Sequence, residues 1–346
     1  MEMEGSSGPV RGMAAYTGFK ASIKAVAVGP RGSRALGFDE ARAAFGELLD
    51  GSVSPAQAGA FLIGLRVKGE TPAELAGAAQ ALRDRCAPLE AGPGAPLVLS
   101  AGAFDGLAEA PPLGIAAAAC AAACGVRVVV ACGDRLGPKN GVTAADVVAA
   151  LGGPERPGAE ASAAMLERSG VGLAHAGELV EGWRAIAAIR DEIGLRGPLH
   201  SAEKLVDFFG ARCFVVGHTH GSYGERIIGA LEQLGCESAI AVRGIEGSDL
   251  LRPGRPVARG AAGPIGLPES PGMQLRGDSD PAYAAALSAA VLAGEENGAA
   301  RRAVTLSAGV KLLAAGVAGR PADALRRCEA AIDEGSARAV LDAIAG

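Results

Sequence analysis

Leu97-Val-Leu-Ser-Ala-Gly-Ala-Phe-Asp-Gly106, followed by Pro111-Pro-Leu-Gly114 and the alanine-rich run Ile115 to Cys124, decides the fold of this chain. An apolar run, a loop of small residues and a helix-forming stretch read as strand, loop and helix. At such a junction in an α/β protein, free backbone N–H groups and the helix N-terminus favour an anion. The loop itself is thinly equipped for one. Phe104 interrupts the small residues, Leu113 stands near the helix start, and no Ser, Thr or Lys lies between Gly102 and Gly114. The expectation is a crevice that keeps its shape and has lost much of its grip on phosphate.

The pattern continues outward from this junction. Leu97–Leu99, Val126–Val130, Arg212–Val216 and Ala239–Val242 are short β-rich runs, each followed by Gly or Asp and then a helical segment, which predicts a mostly parallel sheet. Before Pro96 there is no strand signal. Asp39 is placed to cap a helix carrying Ala41, Ala44, Phe45 and Leu48; Ser54-Pro55 opens a second, and Thr71-Pro-Ala-Glu74 is a capping box for a third. The fold class is therefore α/β, with a small all-helical domain beside a larger α/β domain built on a mostly parallel central sheet. The pattern sets a flexible lead over 1–33, a helical unit over 34–93 and a further helical block from Ala159 to about Gly194. The Pro- and Gly-dense stretch from Arg252 to Asp280 reads as irregular, and Pro281 to Ala345 as a long helical tail.

Composition narrows the function classes. Aromatic residues make up only 3% of the chain, so the core rests on Ala, Val, Leu and Ile, and base stacking on single-stranded nucleic acid is disfavoured. A net charge of −5 gives no global pull toward nucleic acid or anionic membrane. No apolar run reaches the roughly 18–20 residues needed to cross a bilayer. The N-terminus lacks a secretory pattern, and seven scattered cysteines without a Cys-x-x-Cys pair suit a reducing, cytoplasmic setting.

The helical unit has a distinctive text: Leu48-Leu-Asp-Gly-Ser-Val-Ser-Pro-Ala-Gln57, Gly59-Ala-Phe-Leu-Ile-Gly-Leu-Arg-Val-Lys-Gly-Glu-Thr71 and Glu74-Leu-Ala-Gly77. With Ile189-Arg-Asp-Glu-Ile-Gly-Leu-Arg196, Val242-Arg-Gly-Ile-Glu-Gly-Ser-Asp249, Val291-Leu-Ala-Gly-Glu295 and Ala331-Ile-Asp-Glu-Gly-Ser-Ala337, it resembles the anthranilate phosphoribosyltransferases and related pyrimidine nucleoside phosphorylases. The similarity runs from about Ile23 to Ile344. Leu199-His-Ser-Ala-Glu-Lys-Leu205 and His218-Thr-His-Gly-Ser-Tyr223 resemble a divergent branch of that family. The resemblance implies a helical domain over 34–93 with a second segment at about 159–200, an α/β domain over 94–158 and 201–346, a homodimer formed through the helical domains and an active site in the cleft between domains.

The same resemblance locates departures. The family's Gly-Thr-Gly-Gly-Asp diphosphate loop falls on Ala101-Gly-Ala-Phe-Asp105, and its Asn-x-Ser-Thr helix start on Pro111-Pro-Leu-Gly114. Its Lys-His-Gly-Asn-Arg segment falls on Ala131-Cys-Gly-Asp-Arg135, its Asp-Glu metal pair on Asp249-Leu250, and its His-Pro segment on Val180-Glu181. By position, Gly102, Asp105 and Gly106 would face phosphate or ribose, with Gly133, Asp134 and Arg135 beside them. Arg190 would meet an acceptor carboxylate or phosphate, Arg196 remains near it, and Glu246 with Asp249 would hold Mg²⁺. Each lost cation or metal ligand removes an interaction worth about 2–4 kcal/mol in a transferase of this kind. The implied function is a divergent phosphoribosyltransferase-like protein that binds a small phosphorylated or anionic ligand, any catalysis being pentosyl transfer. The losses argue against efficient anthranilate phosphoribosylation.

Three constellations each carry two readings. His218 and His220 are a metal-ligand pair or pocket-lining histidines. Glu246 and Asp249 bind a hard cation or belong to a solvated loop. Arg301, Arg302, Arg320, Arg326, Arg327 and Arg338 form a basic face or a helix surface paired with Glu329, Asp333 and Glu334. The first reading of the arginines supports an alternative function, a non-catalytic nucleic-acid-binding protein on the same fold.

Overall fold

The computed structural model describes residues 16–87 and 89–345. Four helices come first: α1 (Phe19–Ala27), α2 (Phe38–Leu49), α3 (Pro55–Lys68) and α4 (Pro72–Arg83). Pro at the first turn of α3 and α4 fits there because that position has no helical acceptor for an N–H. Their faces close on Phe61, whose ring centroid lies 5.1 Å from that of Phe19 and 5.6 Å from that of Phe45. The expected flexible lead is thus a packed helix from Phe19 onward, with Phe19 and Val26 buried; Met1–Ala15 of that lead lie outside the described residues. The first cap also differs from expectation. Gly37, not Asp39, occupies the N-cap of α2, and its N–H donates to Glu40 Oε2 at 2.9 Å.

The capping box at Thr71 extends into a buried polar knot. Glu74 accepts from the Thr71 N–H at 2.9 Å, from the Leu36 N–H at 2.8 Å and from Lys68 Nζ at 2.8 Å, with its own side chain buried. One carboxylate therefore holds the start of α4, the end of α3 and the segment entering α2.

The rest of the chain alternates: β1 (Leu97–Ala101), α5 (Gly114–Ala123), β2 (Arg127–Cys132), α6 (Ala144–Ala150), α7 (Ala159–Ser169), β3 (Val171–His175), α8 (Ala176–Leu179), α9 (Trp183–Ile193) and α10 (Leu199–Ala202). Then come β4 (Cys213–Gly217), α11 (Tyr223–Gln233), β5 (Ser238–Val242), β6 (Ala258–Gly260), β7 (Gly263–Ile265) and α12–α15 (Pro281–Leu292, Ala299–Ala314, Pro321–Asp333, Ser336–Ala345). The strand order is β3-β2-β1-β4-β5-β6-β7, parallel through β5 and antiparallel for the last two. Alternation along the strands divides the core. Val98, Val128, Val130, Val215 and Ile240 face α5 and α12–α15, while Leu99, Ala101, Val129, Phe214 and Val216 face the cluster that includes the helical unit. Alanines along α5, all buried from Ala116 to Ala121, let it lie close to both sheet and neighbouring helices.

Three expectations need correction. The block at 159–200 is not wholly helical, because Val171–His175 is a strand at the sheet edge and α7 packs on it. Its sequence, Val-Gly-Leu-Ala-His, lacks the β-branched run that marks β2. Helix resumes at Ala176, and α9 and α10 pack against α2, α3 and α4. The irregular stretch from Arg252 to Asp280 holds two three-residue strands, and the tail is four helices interrupted at glycines. Among the described residues no helix is long and apolar enough to cross a membrane.

Truncating Glu74 to Ala should cost about 3 kcal/mol, since it strands the buried Leu36 N–H and the Lys68 ammonium. Glu74→Gln, which keeps an acceptor, should lose less than half of that. Urea unfolding followed by circular dichroism reads both; equal stability of Glu74→Ala and the parent would refute the role given to this knot.

Candidate functional site

The strand order reverses direction between β1 and β4: the chain leaves β1 toward β2 and β3, and leaves β4 toward β5 on the other side. Loops at the carboxyl ends of such neighbours part, opening a crevice. A cavity of about 130 Å³ lies there. Its walls are Ala103–Asp105 after β1, Gly217–His220 after β4, Glu246 after β5, and, from the helical side, Arg66, Glu70 and residues between Arg196 and Lys204. Close backbone approach shapes it. A Cβ on Gly217 would stand 2.1 Å from the carbonyl carbon of Ser248, so the end of β4 presses directly on the turn after β5.

The residues singled out from sequence scatter around this crevice. Asp105 and Arg196 do line it, and they bind each other: Arg196 Nε and Nη2 donate to Asp105 Oδ2 at 2.9 and 2.7 Å. That pair ties the β1 loop to the segment between α9 and α10. Gly106 is a turn residue at φ +73°, its Cα facing the Gly141 backbone so closely that a Cβ would stand 2.3 Å from it. Gly102 lines a smaller cavity beside Leu113, Gly114 and Asp249. Gly133 makes room for Phe104, which is 1% exposed and tilted against Trp183 with centroids 6.2 Å apart. Phe104 therefore turns inward and packs against Trp183 and Gly133, beside the loop where an anion was expected. Asp134 and Arg135 do not line the crevice; Asp134 pairs with Arg156, and Arg135 with Asp146 at 3.0 Å.

Arg190 is fully buried at the end of α9. Its guanidinium donates to Glu203 Oε2 through Nη1 and to His200 Nε2 through Nε at 3.1 Å, while its Nη2 and Glu203 Oε1 have no partner among the described residues. Burial pushes the Glu203 carboxyl up to about 7 against the pull of Arg190 and Lys204. Burial likewise lowers Lys204 to about 8, despite Glu203 and Asp105 nearby. Lys204 Nζ donates to the carbonyls of Gly217 and Gly247, both at 2.9 Å, clamping the helical side to the ends of β4 and β5.

His218 is buried, and its Nδ1–H donates to the His220 carbonyl at 2.9 Å, which leaves Nε2 as an acceptor. Burial, ahead of Lys204 and Arg243, brings its pKa down to about 4. Tyr223 donates to the buried Glu70 at 2.6 Å on the opposite wall. The histidine pair thus lines the pocket, and among the described residues no group of three or more His, Cys, Asp or Glu is placed to hold a metal ion.

The expected Mg²⁺ pair has other partners. Glu246, at φ +51°, accepts from the N–H groups of Ala108 and Glu109, both at 3.0 Å, and from Lys139 Nζ at 3.3 Å. Asp249 accepts from Ser100 Oγ at 2.5 Å and from Lys311 Nζ at 2.9 Å. Burial alone would raise the Asp249 pKa, but Lys311 and Ser100 outweigh it and hold it below the usual range. The two carboxylates share no partner and each carries a lysine. That donor set does not fit a divalent cation.

Sequence reading missed Lys139, Lys204, Lys311, His200 and Glu203. Lys311 had a visible signal, a single charge inside the apolar run Val310-Lys-Leu-Leu-Ala314. The C-terminal arginines are engaged as well: Arg301 with Asp333, Arg320 and Arg326 with Asp323, and Arg338 with Asp342, while Arg302 and Arg327 donate to carbonyls.

Buried imidazoles make the fold acid-sensitive. Burial holds His175 and His218 at about 4 and His200 at about 2, so each stays neutral where the unfolded chain, near 6.5, takes a proton. Stability from these groups is present above pH 6.5 and declines below it. Glu203 opposes them, since its raised pKa contributes stability that is lost as pH rises from 4.5 through about 7. Unfolding near pH 5.5 should therefore take up about two protons, a slope of about 2 kcal/mol per pH unit. His218→Gln should flatten the slope by about one proton in urea titrations between pH 5 and 6.5; an unchanged slope would contradict the neutral assignment.

Comparison with known proteins places the chain. The helical bundle domain of the glycosyl transferase family matches residues 20–86, and the a/b domain of the same family matches residues 113–338. An anthranilate phosphoribosyltransferase of Methylorubrum extorquens is 35% identical over 336 residues, covering 93% of this chain and 96% of that one. The enzyme of the same name from Chloroflexus aggregans is 31% identical, covering 86% and 90%. Among solved structures, anthranilate phosphoribosyltransferase from Thermus thermophilus superposes with a TM-score of 0.82 at 28% identity, covering 93% and 97%. The Saccharomyces cerevisiae enzyme, in complex with PRPP and Mg, superposes at 0.79 with 16% identity, covering 94% and 96%, which shows the fold alone. A helical bundle beside a switch-point crevice, matched along nearly its whole length, makes this chain a member of the anthranilate phosphoribosyltransferase-like glycosyl transferase family.

Proposed function

We propose that this chain is a divergent member of its family, binding a small phosphorylated or anionic ligand in the interdomain crevice, with pentosyl transfer as the class of any reaction it performs. One observation carries the reading: Arg66, Arg196 and Lys204 stand in the crevice wall among Glu70, Asp105, Glu203 and Glu246, while the Phe104 ring packs inward against Trp183. A phosphate that draws Arg196 from Asp105 gains a guanidinium with an ammonium nearby, and Phe104 stands where a diphosphate-binding loop has a small residue.

Two further features support divergence from anthranilate chemistry. Arg190, the residue positioned to meet an acceptor carboxylate, already has an internal carboxylate in Glu203. An incoming anthranilate would have to displace that buried pair, at a cost of several kcal/mol. The second feature is the pair of lysines on Asp249 and Glu246. Together these losses predict phosphoribosylation of anthranilate at least about a thousandfold slower than in a competent enzyme assayed alongside.

A ligand that binds only the native state raises the melting temperature. Ribose 5-phosphate and inorganic phosphate should stabilise the protein at millimolar concentration, with Arg196→Ala and Lys204→Met each losing most of the shift. PRPP should stabilise no better than ribose 5-phosphate, with or without Mg²⁺. Anthranilate turnover within tenfold of the competent enzyme, or no stabilisation by any of the three phosphates, would overturn this reading.

A further inference from the structure

Lys311 lies in the middle of α13 with no solvent exposure, among Val310, Leu312 and Ala314. A buried ammonium needs a counter-charge and hydrogen-bond acceptors. Both are present: Nζ donates to Asp249 Oδ2 at 2.9 Å and to the Ser307 carbonyl at 3.3 Å. Ser100, at the end of β1, donates to the same Oδ2 at 2.5 Å. The other carboxylate oxygen, Oδ1, faces the small cavity after β1, where a Cβ on Gly102 would stand 3.0 Å away and one on Gly114 3.5 Å. Asp249 thus presents one oxygen to the position where a family phosphate site would open, and it does so already neutralised from behind.

Glu246 repeats the arrangement at the crevice mouth. Lys139 reaches its Oε2 at 3.3 Å and lies 3.8 Å from Asp105 Oδ1, while the N–H groups of Ala108 and Glu109 donate to Oε2 and Oε1. Two carboxylates therefore meet two ammoniums. A divalent ion arriving here finds no excess negative charge, because each carboxylate it would use is already held by an ammonium.

We propose that Lys311 is a tethered internal cation standing in for a divalent metal at Asp249, so that this crevice binds its ligand without one. The tether fixes the charge at one place, on α13, and locks that helix to the turn after β5. An exchangeable ion would do neither. The claim concerns the metal alone, and its test requires no knowledge of the crevice ligand.

Thermal melts and Mn²⁺ electron paramagnetic resonance test it on the full chain. The parent protein should show no saturable rise in melting temperature with millimolar MgCl₂, and added Mn²⁺ should keep its free-ion signal. Lys311→Met exposes an unneutralised Asp249, so this variant should gain a saturable Mg²⁺-dependent rise of several degrees and quench the Mn²⁺ signal. The double variant Asp249→Asn with Lys311→Met, which removes both charges together, should fold and lose that response. Should Lys311→Met fail to fold without metal, recovery of its native circular dichroism by Mg²⁺ supports the proposal. Failure to recover with Mg²⁺, or a folded Lys311→Met that ignores it, overturns the proposal. So does saturable Mg²⁺ stabilisation of the parent that Asp249→Asn abolishes.

Discussion

Two adjacent parallel strands whose chains depart in opposite directions leave their carboxyl ends uncovered, and everything functional in this molecule is arranged around that gap. β1 and β4 pair from Val98–Cys213 to Ala101–Val216, and the loops that follow diverge. The helical unit closes the gap from above. It does so with Lys204, whose ammonium spans to both β4 and β5 loops, and with Arg196, which takes hold of Asp105. The crevice is therefore walled by two domains and stitched by charges that cross between them.

Most of those charges are satisfied internally. Asp105 has Arg196, Glu203 has Arg190, Asp249 has Lys311, and Glu246 has Lys139. An active site that handles a charged substrate ordinarily keeps some groups unpaired until the substrate arrives, because preorganised unpaired donors supply the electrostatic stabilisation. Here the pairing is intramolecular, and the Phe104 ring packs inward beside the loop. On the proposed reading, the fold has been kept and the reactive asymmetry has been reduced. Fold and function separate in this way because the sheet and helices need burial and capping, whereas catalysis needs a few polar groups left free.

How far the sequence alone was informative follows from range. The four strands with short apolar runs, β1, β2, β4 and β5, were readable from local pattern, and so were the capped helices α2–α4. Val171–His175 was hidden because a glycine and an alanine dilute its strand signal, and Phe19–Ala27 because a helix near a chain end shows its burial only once α3 packs on it. The crevice was legible from Gly102-Ala-Phe-Asp-Gly106, a small-residue loop after a strand. Its charge pairing was not. Lys311 stands 62 residues from Asp249, and Arg196 stands 91 from Asp105, so no spacing rule joins them. Only the isolation of Lys311 within apolar sequence hinted that some buried acid awaited it.

If protein cations alone hold phosphate in the switch-point crevice, a crystal grown with ribose 5-phosphate and Mn²⁺, with data collected at the manganese edge, should show phosphate density against Arg196 and Lys204. No anomalous peak should lie within coordination distance of Asp249 or Glu246. A manganese peak joining those two carboxylates, with Phe104 swung out and phosphate seated in the loop at 102–106, would contradict the proposal.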